Sequence, residues 1–418
     1  MTKLLITNIA EVATPLGSTP CNGENQGRIQ RYKDVEILIV EGKIVFVGKR
    51  EKRIAQHGDL DVAPKLDAKG GTVVPGWVDP HTHLPWSGSR EHEFADRLHG
   101  ASYQEIAAAG GGILSTVRAT RAATSDQLAS AMAPRLHQML RWGTTTAEAK
   151  SGYGLTTEDE LKQLQAIQTA TGKQPVELVP TLMAAHEVPA EFQQRPQDYV
   201  DLVVSETIPA VGASGLARFC DVFCEQGVFT AEQSLQVLEA GLDQGLIPRL
   251  HADEFVDSGG ARVAAQIGAA SADHLIAVSD DGINKLAESG VTAVLLPGTS
   301  FFLMKHHYAP ARRLIEAGVA VALATDCNPG SSNTESMPGV ITLAVLEMGL
   351  TVEEALTAAT LNAACTLGLG ERVGSVEAGK QADLLILESP NVFHLAYHFG
   401  INPVGTVIKR GEIVHRQR

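Results

Sequence analysis

PGWVDPHTHLPWSG, residues 75–88, joins an apolar, strand-like lead-in to two histidines, His81 and His83, with one threonine between them and a proline soon after. Residues i and i+2 of a strand face the same side, so both imidazoles can reach one ion from the end of a buried strand. Seven further apolar runs follow: GTTTAEAKSG, VELVPTLMAAH, FCDVFCEQGVF, LIPRLHADE, SADHLI, VTAVLLPGTS and GVAVALATDCN. With GTVVPGWVDPHTH they make eight. Their continuous apolar character suits parallel strands buried on both faces. Helical patterns separate them, as in TEDELKQLQAIQTATGK, where Thr157 is the expected N-cap and Gly172 lies just past the end. Eight strand–helix units over residues 71–371 predict an α/β fold of the (β/α)8, TIM-like barrel class. A doubly wound sheet is the rival, but no glycine fingerprint follows the first strand and no phosphate loop is present. The glycines 110–112 follow a helical run and read as a loop.

Outside this region the chain is β-rich. VEILIVEGKIVFVGKR reads as two strands turning at Glu41-Gly42, and VGTVIKRGEIVHR as two more turning at Arg410-Gly411. Neither end closes a sheet alone, so residues 1–70 with 372–418 are expected to form one β-sandwich-like, discontinuous domain.

A chain of 418 residues with 44% hydrophobic content buries an ample core without disulfides or structural metals. Lysine and arginine number 34 against 48 acids, a formal charge of −14 that argues against nucleic acid or an anionic membrane as partner. Five scattered cysteines suit reduced thiols in a cytoplasmic protein. The start, MTKLLITNIA, reads as a strand rather than a secretion signal, and no run approaches the roughly 20 apolar residues of a membrane span.

Carboxyl ends of barrel strands are where active sites assemble. His81 and His83 end the first run, His186 the third, His251 the fifth, His274 the sixth and Asp326 the eighth. His81, His83, His251 and Asp326 supply three nitrogens and one carboxylate oxygen, an open site with room for a water. A second metal would need a bridging ligand, which in binuclear barrels is a carbamylated lysine on strand four. Here that strand ends DVFCEQG, and Lys150 ends strand two instead, so one metal ion is expected. It is a divalent or trivalent ion, zinc or iron, since the donor set accepts either. Cys220 and Cys224 form a lone C-x3-C and read as buried strand cysteines. Glu254, three residues after His251, is the first choice as acid/base, with His274 as the alternative base or a stabiliser of developing charge. Asp253 and Asp257 read as solvated or capping.

PGWVDPHTHL, HADE, SADHL, ATDCNPGSS and the closing VGSVEAGKQADLLIL resemble the amidohydrolase superfamily over essentially the whole chain. That resemblance implies a small β-sandwich beside the barrel and a metal-dependent hydrolase. HTHLPWSGSREHEF, EAKSGYGL, MAAHEVP, HADEF and TDCNPGSS are similar, more narrowly, to the branch that opens 4-imidazolone-5-propanoate with water. Its product is N-formimidoyl-L-glutamate, a step of histidine degradation. The resemblance implies that Arg90 clamps the substrate propanoate and that Tyr153 donates its hydroxyl to substrate. His186 would bond the imidazolone oxygen or donate to the developing oxyanion, while Asn328, Gly330 and Ser331 contact substrate or product. Glu254 also borders the substrate, and relatives imply a homodimer. Two alternatives remain at this point: a mononuclear aminohydrolase of a small heterocycle, and a catalytically inactive amidohydrolase-like scaffold.

Overall fold

A computed structural model describes residues 3–59, 64–101, 105 and 110–417. Eight parallel strands form one sheet in chain order: β8 Trp77–Asp79, β9 Thr144–Lys150, β10 Glu177–Ala185, β11 Phe219–Cys224, β12 Ile247–Ala252, β13 Ser271–His274, β14 Thr292–Leu295 and β15 Val321–Leu323. Neighbours in sequence are neighbours in space, as right-handed crossover through intervening helices requires. The segments just beyond β15 and β8 then meet. Thr82 and Cys327 form a parallel bridge, Asp326 N–H donates to the His81 carbonyl at 3.1 Å, and His83 N–H donates to the Cys327 carbonyl at 3.0 Å. These contacts close the barrel at the end where the histidines stand.

The first apolar run is two strands. β7 Thr72–Pro75 leaves the barrel and pairs with β16 Leu384–Leu387 and β2 Glu11–Thr14, whereas β8 begins after Gly76. A Cβ on Gly76 would lie 2.6 Å from Thr145 Cγ2, so the chain passes between the two layers where no side chain fits. An unbroken hydrophobic pattern hides such a change of sheet. VTAVLLPGTS also divides: β14 stops at Leu295, and Pro297–Phe302 is a short helix.

Two further sheets lie at the chain ends. β1 Lys3–Ile9, β4 Val35–Val40, β5 Lys43–Gly48 and β6 Lys65–Asp67 form one, entirely from the N-terminal part. The other runs β18 Glu412–Arg416, β17 Val404–Lys409, β16, β7, β2 and β3 Gln30–Tyr32. Ile6, Ile37 and Ile44 from the first sheet share a buried cluster with Val12, Val73, Leu384 and Ile408 from the second, as in a sandwich. Both expected turns are present. Glu41 and Gly42 (φ 49° and 76°) and Arg410 and Gly411 (φ 51° and 77°) adopt the left-handed conformations of a tight hairpin.

Helix Thr157–Thr171 starts one residue earlier than expected. Its N-cap is Thr156, whose Oγ1 accepts from the Asp159 N–H at 3.1 Å, and Gly172 follows the last turn. Two adjacent threonines offer the same capping hydroxyl, and the backbone turn selects between them. Cys220 and Cys224 lie buried in β11, and all five cysteines are free thiols. Among the described residues no helix is long and apolar enough to cross a membrane.

Candidate active site

Five buried imidazoles converge where the barrel closes. His81 and His83 follow β8, His251 lies in β12, His274 ends β13, and His186 follows β10. Ring centroids of His81 and His251 are 4.4 Å apart, and His83 lies 5.4 Å from each of them. Asp326 Oδ1 sits 3.6 Å from His81 Nε2 and 3.5 Å from His83 Nε2, while His251 Nε2 is 3.4 Å from His83 Nε2. Metal–ligand bonds of about 2.0–2.2 Å at open angles separate neighbouring donors by about 3.3–3.7 Å. His81, His83 and Asp326 form one donor group, with ligand atoms within 4.8 Å of one another, and His251 adjoins it through His83. His81, His251 and His274 form a second, overlapping donor group, with ligand atoms within 4.8 Å of one another.

Orientation supports the same reading. His81 Nδ1 donates to Asp273 Oδ2 at 2.6 Å, and His251 Nδ1 donates to Asp221 Oδ1 at 3.0 Å. The carboxylates leave Nε2 of each ring as the lone-pair atom facing the cluster. His81 Nε2 is buried with no hydrogen-bond partner among the described residues. Such an orphan is costly unless a cation takes the lone pair. Burial first, then neighbouring charge, holds His81 and His83 well below the ordinary imidazole range, so both are neutral donors. Asp326 is pushed up to about 6 by burial, partly opposed by Thr299 Oγ1, which donates to Oδ2 at 2.6 Å. Asp326 and His274 also hold left-handed backbone (φ 53° and 75°), a strain of about 1–3 kcal/mol each that collects at functional sites.

Beneath the cluster the barrel interior is charged. Lys150 Nζ lies 2.6 Å from Asp221 Oδ2 and 2.8 Å from Glu148 Oε2, and Arg249 Nη2 lies 3.4 Å from Asp273 Oδ2. All five side chains are fully buried. Burial would raise Asp221, yet Lys150 and then His251 hold it well below the usual carboxylate range. Sequence reasoning missed this network. Its signal was available: Glu148 and Lys150, like Arg249 and His251, stand at i and i+2 within apolar strands, a place where charge needs a reason.

Glu254 lies beyond β12 with Oε2 3.7 Å from His274 Nε2, and burial pushes its carboxyl up to about 7. His274 keeps Nδ1 without a partner among the described residues. Asp253 caps the next helix, accepting from Ser258, Gly260 and Ala261 backbone N–H groups. His186 is placed with one change of expectation. Its Nδ1 lies 3.0 Å from the Gly152 carbonyl, which can only accept, so Nδ1 carries the proton. Burial depresses this imidazole to about 3, leaving it neutral, and Nε2 is an acceptor rather than an oxyanion donor.

Tyr153 packs 5.2 Å from the His186 ring and 5.9 Å from His83. Its loop is fastened by Glu160, whose carboxylate accepts from Gly152, Gly154 and Leu155 N–H groups. Asn328 builds the loop after β15: its Oδ1 accepts from Gly330 and Ser331 N–H at 2.8 Å each, and its Nδ2 donates to the Asp326 carbonyl at 2.7 Å. Gly330 lies against the Arg90 guanidinium, where a Cβ would stand 2.6 Å from Cζ. Tyr153, His186 and Glu254 thus border the other histidines, and Arg90 lies against the loop that Asn328 builds after Asp326.

Residues 72–414 match the amidohydrolase family. The chain belongs to that family, among the imidazolonepropionases. It is 50% identical over 417 residues to the imidazolonepropionase of Geobacillus kaustophilus, covering 99% of this chain and 98% of the relative. The Brevibacillus brevis imidazolonepropionase is likewise 50% identical over 418 residues, with 99% and 98% covered. Among solved structures, a triazine hydrolase variant superposes with TM-score 0.75 at 18% identity over 99% of this chain and 95% of its own. Escherichia coli guanine deaminase does so with TM-score 0.70 at 17% identity over 100% of both. At such identity these two share the fold. The amidohydrolase family is metal-dependent, in agreement with the donor cluster.

Proposed function

We infer that this chain hydrolyses the cyclic amide of 4-imidazolone-5-propanoate to N-formimidoyl-L-glutamate, in histidine degradation, using one metal ion held by His81, His83, His251 and Asp326. The observation that supports it is the His81, His83 and Asp326 donor group, with His251 Nε2 3.4 Å from His83 Nε2, and the Arg90 guanidinium against Gly330 on the loop after Asp326. Zinc and iron both suit three imidazoles and a carboxylate. A bound ion would lower the pKa of a water toward neutrality and polarise the ring carbonyl.

The remaining roles fall to protein groups. Arg90 pairs with the propanoate, and Tyr153 donates its hydroxyl to the substrate. The acceptor Nε2 of His186 suits a ring N–H. Ser331 and the Gly330 backbone border the same substrate, presented by Asn328. Glu254, titrating near neutrality in a buried site, takes a proton from the attacking water. Water adds to the ring carbonyl and gives a tetrahedral adduct. As the C–N bond breaks, Glu254 returns its proton to the departing ring nitrogen, and the carbonyl carbon becomes the new carboxyl group, which releases its remaining proton to solvent as a carboxylate. His274, 3.7 Å from Glu254 with Nδ1 unpartnered among the described residues, steadies the charge that develops.

The five free thiols fit action in the cytoplasm, and a homodimer is part of the same proposal. Loss of imidazolone propanoate absorbance, with the metal content of the protein measured alongside, tests the reading. Turnover that tracks metal content supports it, and protein with full metal and no turnover overturns it.

A further inference from the structure

We propose that Glu93 is a positioning residue that aims Arg90 at the substrate carboxylate, a step that rests on the role given to Arg90 above. Arg90 precedes the helix Glu91–Leu98, and Glu93 stands in its first turn. Arg90 Nε donates to Glu93 Oε2 at 2.8 Å, and both side chains are largely enclosed, at 13% and 16% exposure. The other oxygen, Oε1, accepts from the Gly112 N–H at 3.0 Å and the Ser115 hydroxyl at 3.1 Å. Glu93 therefore ties Arg90 to the loop that enters the helix Ile113–Ala122.

This division of oxygens has a geometric consequence. A guanidinium offers a carboxylate two forks, one from Nε with Nη2 and one from Nη1 with Nη2. Glu93 occupies the Nε edge. The fork left for a bidentate partner is the terminal pair, which lies against Gly330 on the loop following Asp326. Among the described residues, the bond to Glu93 is the one hydrogen bond the Arg90 side chain makes. A glutamine at position 93 has one acceptor oxygen and cannot serve both Arg90 and the Gly112–Ser115 segment. Removing the negative charge would by itself favour an incoming carboxylate. The proposal states that the lost orientation outweighs that gain, because an untethered arginine must be ordered anew at each binding event.

The test compares two inhibitors of the metal-loaded enzyme, 3-(imidazol-4-yl)propanoate and 4-propylimidazole, which differ by the carboxylate. Their ratio of inhibition constants reports what that group contributes. Glu93→Gln should reduce the ratio by about tenfold and raise KM for imidazolone propanoate similarly, with kcat within about twofold. Arg90→Gln should bring the ratio close to one. If Arg90→Gln leaves the ratio unchanged, the carboxylate-clamp reading of Arg90 fails and this inference with it. If Arg90→Gln collapses the ratio while Glu93→Gln preserves or increases it, the inference alone is overturned. Ser115→Ala keeps the charge and removes one tether; should Glu93→Gln not fold, a ratio in Ser115→Ala equal to that of the unchanged enzyme overturns the proposal, and a fall of about twofold or more supports it.

Discussion

Replacing Lys150 with methionine tests whether the charged barrel interior holds the metal ligands in place. Two cations, Lys150 and Arg249, face three carboxylates, Glu148, Asp221 and Asp273, so the formal sum is 2 − 3 = −1 and becomes 1 − 3 = −2 in the variant. At an effective dielectric of about 20, the 2.6 Å Lys150–Asp221 pair alone has a Coulomb attraction of about 6 kcal/mol. Desolvation of both partners offsets much of this, and breaking one side of a buried pair has a net effect of about 3–5 kcal/mol. Unfolding entropy near 2.1 cal/mol/K per residue gives about 0.9 kcal/mol/K for 418 residues. Metal-free Lys150→Met should therefore melt about 3–6 °C lower by calorimetry. Asp221 would also lose its second partner and hold His251 less firmly, so metal affinity measured against a competing chelator should fall about 10–100-fold. A metal-free melting point within 1 °C and an affinity within twofold of the unchanged protein would refute the role assigned to this network.

Glu254→Gln should lower kcat by about 10²–10⁴-fold while metal content stays unchanged. Because Glu254 acts first as a base, its ionised form is required. With its carboxyl raised to about 7 by burial, kcat should rise with pH through that region and fall away in acid, and a profile flat from pH 6 to 8 would remove it from the proton path. Glu177 gives a stability counterpart at the other end of the barrel. Burial would raise it, but Arg372, Lys409 and Arg410 hold its carboxyl below the ordinary range, which links β10 to β17 and the segment before β16. A depressed folded-state pKa contributes stability that is present above the unfolded value of about 4.5 and is lost as pH falls through the lower folded value. Acid titration of the melting temperature should show that loss in the unchanged protein and a shallower one in Glu177→Gln.

Much of the site could be read along the chain because its logic is local. His81 and His83 declare themselves by alternation at a strand end, and His251 and His274 follow apolar runs of the same type. Asp326 stands three residues beyond β15, in a left-handed conformation that composition does not announce. The tautomer of His186 was not legible, since it depends on the Gly152 carbonyl across the β9 loop. Nor was the division of GTVVPGWVDPHTH at Gly76, because strands in two different sheets present the same buried, apolar pattern when both layers are covered.

Periodicity and strand-end chemistry along the chain were sufficient for a barrel of eight strand–helix units, strands at both chain ends outside it, and a candidate set of metal donors. All three follow from side-chain direction and sequence spacing, which are properties of short segments. Folding itself had to choose which carboxylate would meet which cation. Asp221 lies beside Arg249 in register yet bonds Lys150, two strands away, and Asp273 lies beside His251 yet bonds His81 across the barrel. Such pairings depend on strand curvature and closure, and no stretch of one-dimensional pattern contains them. The same holds for Glu93, whose two oxygens join Arg90 to residues about twenty positions later.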